Sequence, residues 1–172
     1  MADQPGREAI TDVINRYLIT ELLARYCEKL DEYDIAALAD VFADDCVMDQ
    51  GPGRGGPIKG RDKVLAGMKA RQALFRRTQH ILGQTSLRFD AGGANALTYV
   101  TAWHQGWDMT TGVARLRYRD RLVLRVDGWL IQSRRAEALG AEGFDESQWN
   151  WVARKAPDDS EAPMNITDRD RK

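Results

Sequence analysis

The spacing of apolar residues changes its period once along this chain, close to residue 76. Before that point apolar residues recur every three or four positions, which is typical of amphipathic helices. After it come four long extended segments separated by short turn signals, in which apolar and polar residues alternate as they do in half-buried strands. Helices followed by an antiparallel meander indicate an α+β fold, with the helices packed against one face of a strongly curved sheet.

The first part of the chain predicts a helix over 11–33, capped by Thr11, and a shorter helix over 35–42, capped by Asp34. The stripe of the first helix consists of Ile19, Leu22, Leu23, Tyr26, Cys27 and Leu30. A brief strand at 46–48 leads into a glycine-rich loop at 51–57, interpreted as a flexible entrance flap, and then into a third helix over 60–75. The four long strands are expected at 77–89, 95–107, 114–126 and 129–136. Asp127-Gly128 predicts a tight hairpin between the last two.

The composition excludes several classes of protein. The chain has 172 residues and a net charge of −1, which does not favour binding to nucleic acid or to a membrane surface. The polar start lacks a secretory signal, so we expect a cytoplasmic protein. Two cysteines and two histidines, widely scattered, predict neither a disulfide framework nor a metal site. We expect a flexible leader over 1–10, one domain over 11–138 and a tail over 139–172 whose end is disordered.

Asp31 and His80 are the residues with the clearest potential for chemistry. Histidine moves protons near neutral pH, and a carboxylate commonly orients it and stabilises its charged form. If the two side chains meet in a pocket, they form an acid–base pair that needs no cofactor. In the alternative, a backbone group satisfies His80 and Asp31 caps a turn, and the spacing alone favours that alternative.

The motifs in order resemble the SnoaL-like branch of the NTF2-like superfamily, over roughly residues 11–136. Such a fold is a cone-shaped α+β barrel. Within it the chain is most similar to the scytalone dehydratase, bile-acid 7α-dehydratase and hexachlorocyclohexane dehydrochlorinase group. The motifs that carry the resemblance are Leu23-Ala24-Arg25-Tyr26-Cys27-Glu28-Lys29-Leu30-Asp31, Leu38-Ala39-Asp40-Val41-Phe42, Ile58-Lys59-Gly60-Arg61-Asp62, Tyr118-Arg119-Asp120-Arg121-Leu122 and Asp127-Gly128-Trp129-Leu130-Ile131.

The resemblance implies roles for particular residues. Asp31 and His80 match the positions of the catalytic dyad in that group, and this match favours the catalytic interpretation. Tyr26 matches a tyrosine of the bile-acid enzyme and would polarise the carbonyl or protonate the leaving group. His104 either corresponds to a second strand histidine of scytalone dehydratase or is a packed histidine.

Further candidates come from the strands. Tyr118 and Asp120 share a face with apolar residues, so Asp120 either has a structural partner, which is favoured, or helps to bind substrate. Trp103 and Trp107 are expected on one face of the second long strand, where they line an aromatic pocket or cover an oligomer interface. A row of arginines on the third long strand is interpreted as a solvated or subunit-facing surface rather than an anion site.

The function that we expect is that of a cofactor-independent lyase or isomerase. The favoured reaction is dehydration of a β-hydroxy carbonyl compound or related ring substrate. Ketosteroid-isomerase-like double-bond migration and polyketide cyclisation are alternatives that use the same base. The alternative from another class is a non-catalytic ligand-binding or assembly subunit, like the small subunit of ring dioxygenases. We expect a hydrophobic small-molecule ligand and a homo-oligomer, a dimer or trimer, with no nucleic-acid or membrane partner.

Overall fold

In the computed structural model, which describes residues 6–153, the first helix, α1, spans Arg7–Asp31. All six residues of the predicted stripe are buried. The helix begins four residues before Thr11, so the predicted cap is wrong: Gly6 precedes the helix, and Arg, Glu and Ala at 7–9 have good helix propensity. The rest of the predicted leader, residues 1–5, lies outside the described residues. The same holds for residues 154–172, where a disordered end is predicted.

The second helical segment is shorter than the pattern suggested. It is a single 3-10 turn, Ala37–Asp40, and the Asp34 carboxylate accepts a hydrogen bond from the Ala37 backbone N–H at 3.3 Å. The next helix, α2, spans Arg61–Gln72 and buries Val64 and Met68. Neither helix within residues 6–153 is long and apolar enough to cross a membrane.

Six strands form one sheet in the order β2-β1-β6-β5-β4-β3. Strand β1 runs parallel to β6, and the other neighbours are antiparallel. The hairpin between β5 and β6 turns at residues 126–127, one position earlier than predicted, because Arg125 pairs with Gly128. The strands are β1 (Phe42–Asp49), β2 (Pro57–Lys59), β3 (Phe75–Asp90), β4 (Gly93–Gly106), β5 (Thr111–Arg125) and β6 (Gly128–Glu142).

Register shifts bend this sheet around an interior. One lies in β3 between Leu82 and Thr85, and two lie along the β5–β6 pair. An extra residue in one strand of a pair increases the local bend and twist, so the sheet curls into the wall of a cone. Alternation along β5 would place Leu124 on the buried face with Leu122, but Leu124 is 53% exposed because the pairing of β5 with β4 stops at Leu122 and leaves that end of β5 uncovered.

The residues that follow β6 fold back over the same subunit. Strand β6 continues to Glu142, six residues beyond its predicted end. The Phe144 ring lies so close to Gly112 that a Cβ there would be 2.6 Å from it. Trp149 is buried and Trp151 forms a bridge with Ala138. The described part of the tail therefore closes the interior of its own chain.

Candidate active site

The structure brings Asp31 and His80 together where α1 ends beside β3. The His80 ring nitrogen Nδ1 lies 2.6 Å from Asp31 Oδ1, and the His80 backbone N–H donates to Asp31 Oδ2 at 2.7 Å. The Thr78 hydroxyl donates to Asp31 Oδ1, also at 2.7 Å. The His80 side chain is 4% exposed. Three donors therefore fix the carboxylate, and the carboxylate fixes the imidazole.

These hydrogen bonds keep Asp31 ionised and determine which ring nitrogen carries the proton in a neutral His80. Burial alone would raise the pKa of Asp31, but the hydrogen bonds from the ring and backbone of His80 and from Thr78 outweigh it and lower the pKa. The carboxylate is thus ionised near neutral pH and only accepts hydrogen bonds. The proton of a neutral imidazole therefore sits on Nδ1, and Nε2 keeps the lone pair that a general base needs.

His104, the second histidine, lies inside the cone next to the first. Its ring centroid is 5.5 Å from that of His80, and its ring also packs against Phe75 and Phe144. Burial lowers the pKa of His104 to about 4, helped by the charges of His80 and Arg54. His104 Nδ1 is buried and has no hydrogen-bond partner among residues 6–153. His104 is therefore a neutral, packed histidine in contact with the dyad.

The two candidate tryptophans do not lie together. Trp107 belongs to the turn after β4, because that strand ends at Gly106, so its predicted place on the strand is wrong. Its indole N–H donates to the Ala73 carbonyl at 3.1 Å. Trp107 lines a cleft of about 340 Å³ together with Asp31 and Thr78. Trp103 lies on β4 with its neighbours Ala102 and His104 on the opposite, buried face.

Tyr26, Tyr118 and Asp120 gather around an arginine that the sequence analysis missed. The guanidinium of Arg134 stacks 4.1 Å from the Tyr26 ring and 4.2 Å from the Tyr118 ring. It donates two hydrogen bonds to the Asp120 carboxylate, at 2.8 and 2.7 Å. Burial raises the pKa of both tyrosines, so they remain protonated near neutral pH.

This cluster accounts for Asp120 structurally, and substrate binding by Asp120 and Tyr118 stays a prediction. Among the described residues, Tyr26 makes ring contacts with Phe42 and Tyr118 rather than with the dyad. Its role as a donor is a prediction as well. Burial would lower the pKa of Arg134, but the Asp120 charge and hydrogen bonds outweigh it and raise the pKa.

The inward orientation of Arg134 was missed for an identifiable reason. Arg134 faces inward only because β6 carries an extra residue opposite the step from Arg121 to Leu122, which a strict alternation does not show. An unpaired aspartate on the buried face of β5 was the one signal that an arginine had to lie nearby.

Within residues 6–153, no group of three His, Cys, Asp or Glu side chains could hold a metal ion.

The geometry defines a class of protein: a helix-capped, curved α+β cone with Asp31 and His80 in contact at one end. Residues 11–135 match the model of the SnoaL-like domain family, and the chain belongs to that family. This confirms the family expected from the motifs. No curated protein matches the sequence.

Solved structures of similar fold include proteins named as enzymes and a protein named only by its fold. A candidate scytalone dehydratase from Novosphingobium aromaticivorans DSM 12444 is 21% identical, with a TM-score of 0.80 over 86% of this chain and 99% of that one. A hexachlorocyclohexane dehydrochlorinase (LinA) of type 2 is 16% identical, with a TM-score of 0.72 over 88% of this chain and 99% of that one. An NTF2-like protein with a cystatin-like fold, from Novosphingobium aromaticivorans, is 23% identical, with a TM-score of 0.65 over 81% and 92%. At these identities the likeness establishes the fold.

Proposed function

We propose that this protein is a cofactor-independent lyase in which His80 removes a proton from a carbon next to a carbonyl group. The observation that carries the proposal is the contact of His80 Nδ1 with Asp31 Oδ1 at 2.6 Å, which leaves Nε2 as the basic nitrogen. A lyase or isomerase activity is plausible for the family, because fold neighbours include proteins named as a dehydratase and a dehydrochlorinase.

The favoured reaction is elimination of water from a β-hydroxy carbonyl compound. His80 Nε2 takes the proton, and the C–H electron pair forms the new C=C bond as the β C–O bond breaks. The hydroxyl group takes a proton from a nearby donor and leaves as water. Tyr26 is the predicted donor. Asp31 holds the imidazole in the required tautomer and stabilises the imidazolium as it forms, and base catalysis of this kind contributes about 10²–10⁴-fold to the rate.

Two measurements test this proposal. Nitrogen NMR of the histidine rings should show His80 protonated on Nδ1 in the wild type, and this tautomer should be lost in Asp31→Asn. Aryl β-hydroxy ketones should lose water to give conjugated enones, which absorb in the ultraviolet. Asp31→Asn and His80→Gln should each slow that reaction at least 100-fold.

Asp127→Asn is the matched control, since Asp127 is an exposed aspartate in the β5–β6 turn. Unchanged turnover in His80→Gln would remove His80 as the base. If the ketones neither lose water nor exchange their α-hydrogens with deuterium, the non-catalytic interpretation replaces this one.

A further inference from the structure

Arg54 and Arg71 are two half-buried cations that lack an acidic partner among the described residues. Arg54 lies in the glycine-rich flap and Arg71 in the last turn of α2. The Nε atom of each is buried and has no hydrogen-bond partner within residues 6–153. Four arginines of β5 (Arg115, Arg117, Arg119 and Arg121) and Arg134, in contrast, bind carboxylates. A buried charge without a counter-charge destabilises a protein, so two of them together favour a binding role.

The positive charge of Arg71 affects the pKa of Arg54. Burial and the charge of Arg71 together lower the pKa of Arg54 to about 10, while Tyr118 and Tyr26 oppose the shift. Burial also lowers the pKa of Arg71, against the influence of Tyr26. Arg54 and Arg71 also line the same cleft, so the two cations are neighbours. Both guanidinium groups can donate hydrogen bonds to one anion.

The surroundings hold Arg54 in place and offer a further donor. Its guanidinium stacks 3.9 Å from the ring centroid of Trp149, a residue that is 4% exposed. Trp149 Nε1 is itself a buried donor without a partner in the described part of the chain. Arg54 and Arg71 line one narrow cleft, walled by side chains such as Met48, whose free volume is about 10 Å³. That is about the space of one water molecule, so an acid group must displace the arginine side chains to enter, and a planar carboxylate displaces them less than a tetrahedral phosphate.

A row of rings connects this cleft with the dyad. Trp149 packs against Phe144, Phe144 against His104, and His104 against His80. The charge of Arg54 reaches His104, whose pKa it helps to lower. The aromatic row therefore lies between the arginine pair and the base.

We propose that Arg54 and Arg71 bind a carboxylate group of the substrate, so that the substrate is an aromatic or ring-bearing carboxylic acid. The arginine pair binds one end of the molecule, and the reacting carbon at the other end lies against His80. The second half of this statement rests on the proposed function. The first half depends on the arginines alone.

Binding by calorimetry tests the carboxylate site without turnover. Benzoate and phenylacetate carry the acid group, while benzamide and phenylacetamide have the same shape without the charge. We expect each acid to bind at least tenfold more tightly than its amide. Arg54→Gln and Arg71→Gln should each weaken benzoate at least tenfold and leave benzamide unchanged.

Arg88→Gln is the matched control, since Arg88 is exposed on β3. Equal affinity for acid and amide, or no binding of either acid at millimolar concentration, would overturn the proposal. Tighter binding of inorganic phosphate than of either acid would show an anion site but refute the carboxylate assignment. Asp31→Asn should bind benzoate normally, so failure of the arginine site and failure of the proton abstraction are distinguishable.

Discussion

His104 should make the stability of this protein depend on pH between about 5 and 7.5. Its ring is 9% exposed and packs between Phe75, His80 and Phe144. Burial lowers its pKa in the folded protein to about 4, whereas a histidine in an unfolded chain has a pKa of about 6.5. Between these values the unfolded chain binds a proton that the folded protein does not, so the free energy of unfolding falls as the pH falls.

The magnitude follows from the size of the shift. Each pKa unit corresponds to about 1.4 kcal/mol, so the whole shift of His104 contributes about 3 kcal/mol between neutral pH and pH 4. Restricting the comparison to pH 7.5 and pH 5 avoids most carboxylate titration and leaves about 2 kcal/mol. His104→Phe keeps a planar ring in the same aromatic surroundings and removes the titrating group, so it should lose this part of the pH dependence.

Urea unfolding followed by circular dichroism at pH 5, 6, 6.5 and 7.5 measures the effect. His80 is present in both proteins, so the difference between their slopes reports His104. The NMR signals of the His104 ring in the wild type give an independent reading and should not titrate above pH 5. Equal slopes in the two proteins, or a titration of His104 near pH 6.5, would refute the argument.

Three further substitutions have defined expectations. Asp120→Asn leaves a buried arginine without its counter-charge and should lower the free energy of unfolding by about 3–5 kcal/mol in urea. Thr78→Val removes one donor to Asp31 and should cost about 1 kcal/mol at pH 7; because the pKa of Asp31 is lowered in the folded state, this cost should shrink as the pH falls below about 4 in the same assay. Gly51→Ala places a Cβ 2.2 Å from the Gln148 carbonyl oxygen at a φ of 112°, so it should expose the tail and shift tryptophan fluorescence to longer wavelength.

The order of elements could be predicted because each hydrophobic period is a local property of the sequence. The stripe of α1 and the alternation of β5 are local patterns, and the structure buries the stripe and the alternation from Leu116 to Leu122. Element ends were less predictable. Gly6 rather than Thr11 precedes α1, because good helix formers at 7–9 extend the helix. Strand β6 runs on to Glu142, because strand pairing depends on neighbours distant in sequence.

The residues of the candidate site likewise differ in whether the sequence could predict them. Asp31 and His80 could be found because a resemblance placed both residues at family positions, although spacing alone favoured a structural role. Arg134 could not be found from the sequence, since a register shift in β6 turns its side chain inward, against strict alternation. Arg54 lay in a segment interpreted only as an entrance flap, and nothing in its sequence shows that its side chain meets Arg71 and Trp149 inside the protein.

Charge balance connects the two ends of the interior. When His80 is in the neutral form that a base requires, Asp31 contributes one negative charge, the buried ion pair cancels, and Arg54 and Arg71 add two positive charges. A bound carboxylate would bring the total to zero, and transfer of a proton from the ligand to His80 moves charge without changing that total. In a poorly solvated interior such a neutral set costs less to bury than any charged one. A β-hydroxy ketone without the acid group would leave both arginines unneutralised, so it should show a KM at least tenfold above that of the matching acid with kcat little changed, because the arginines bind a part of the substrate that does not react.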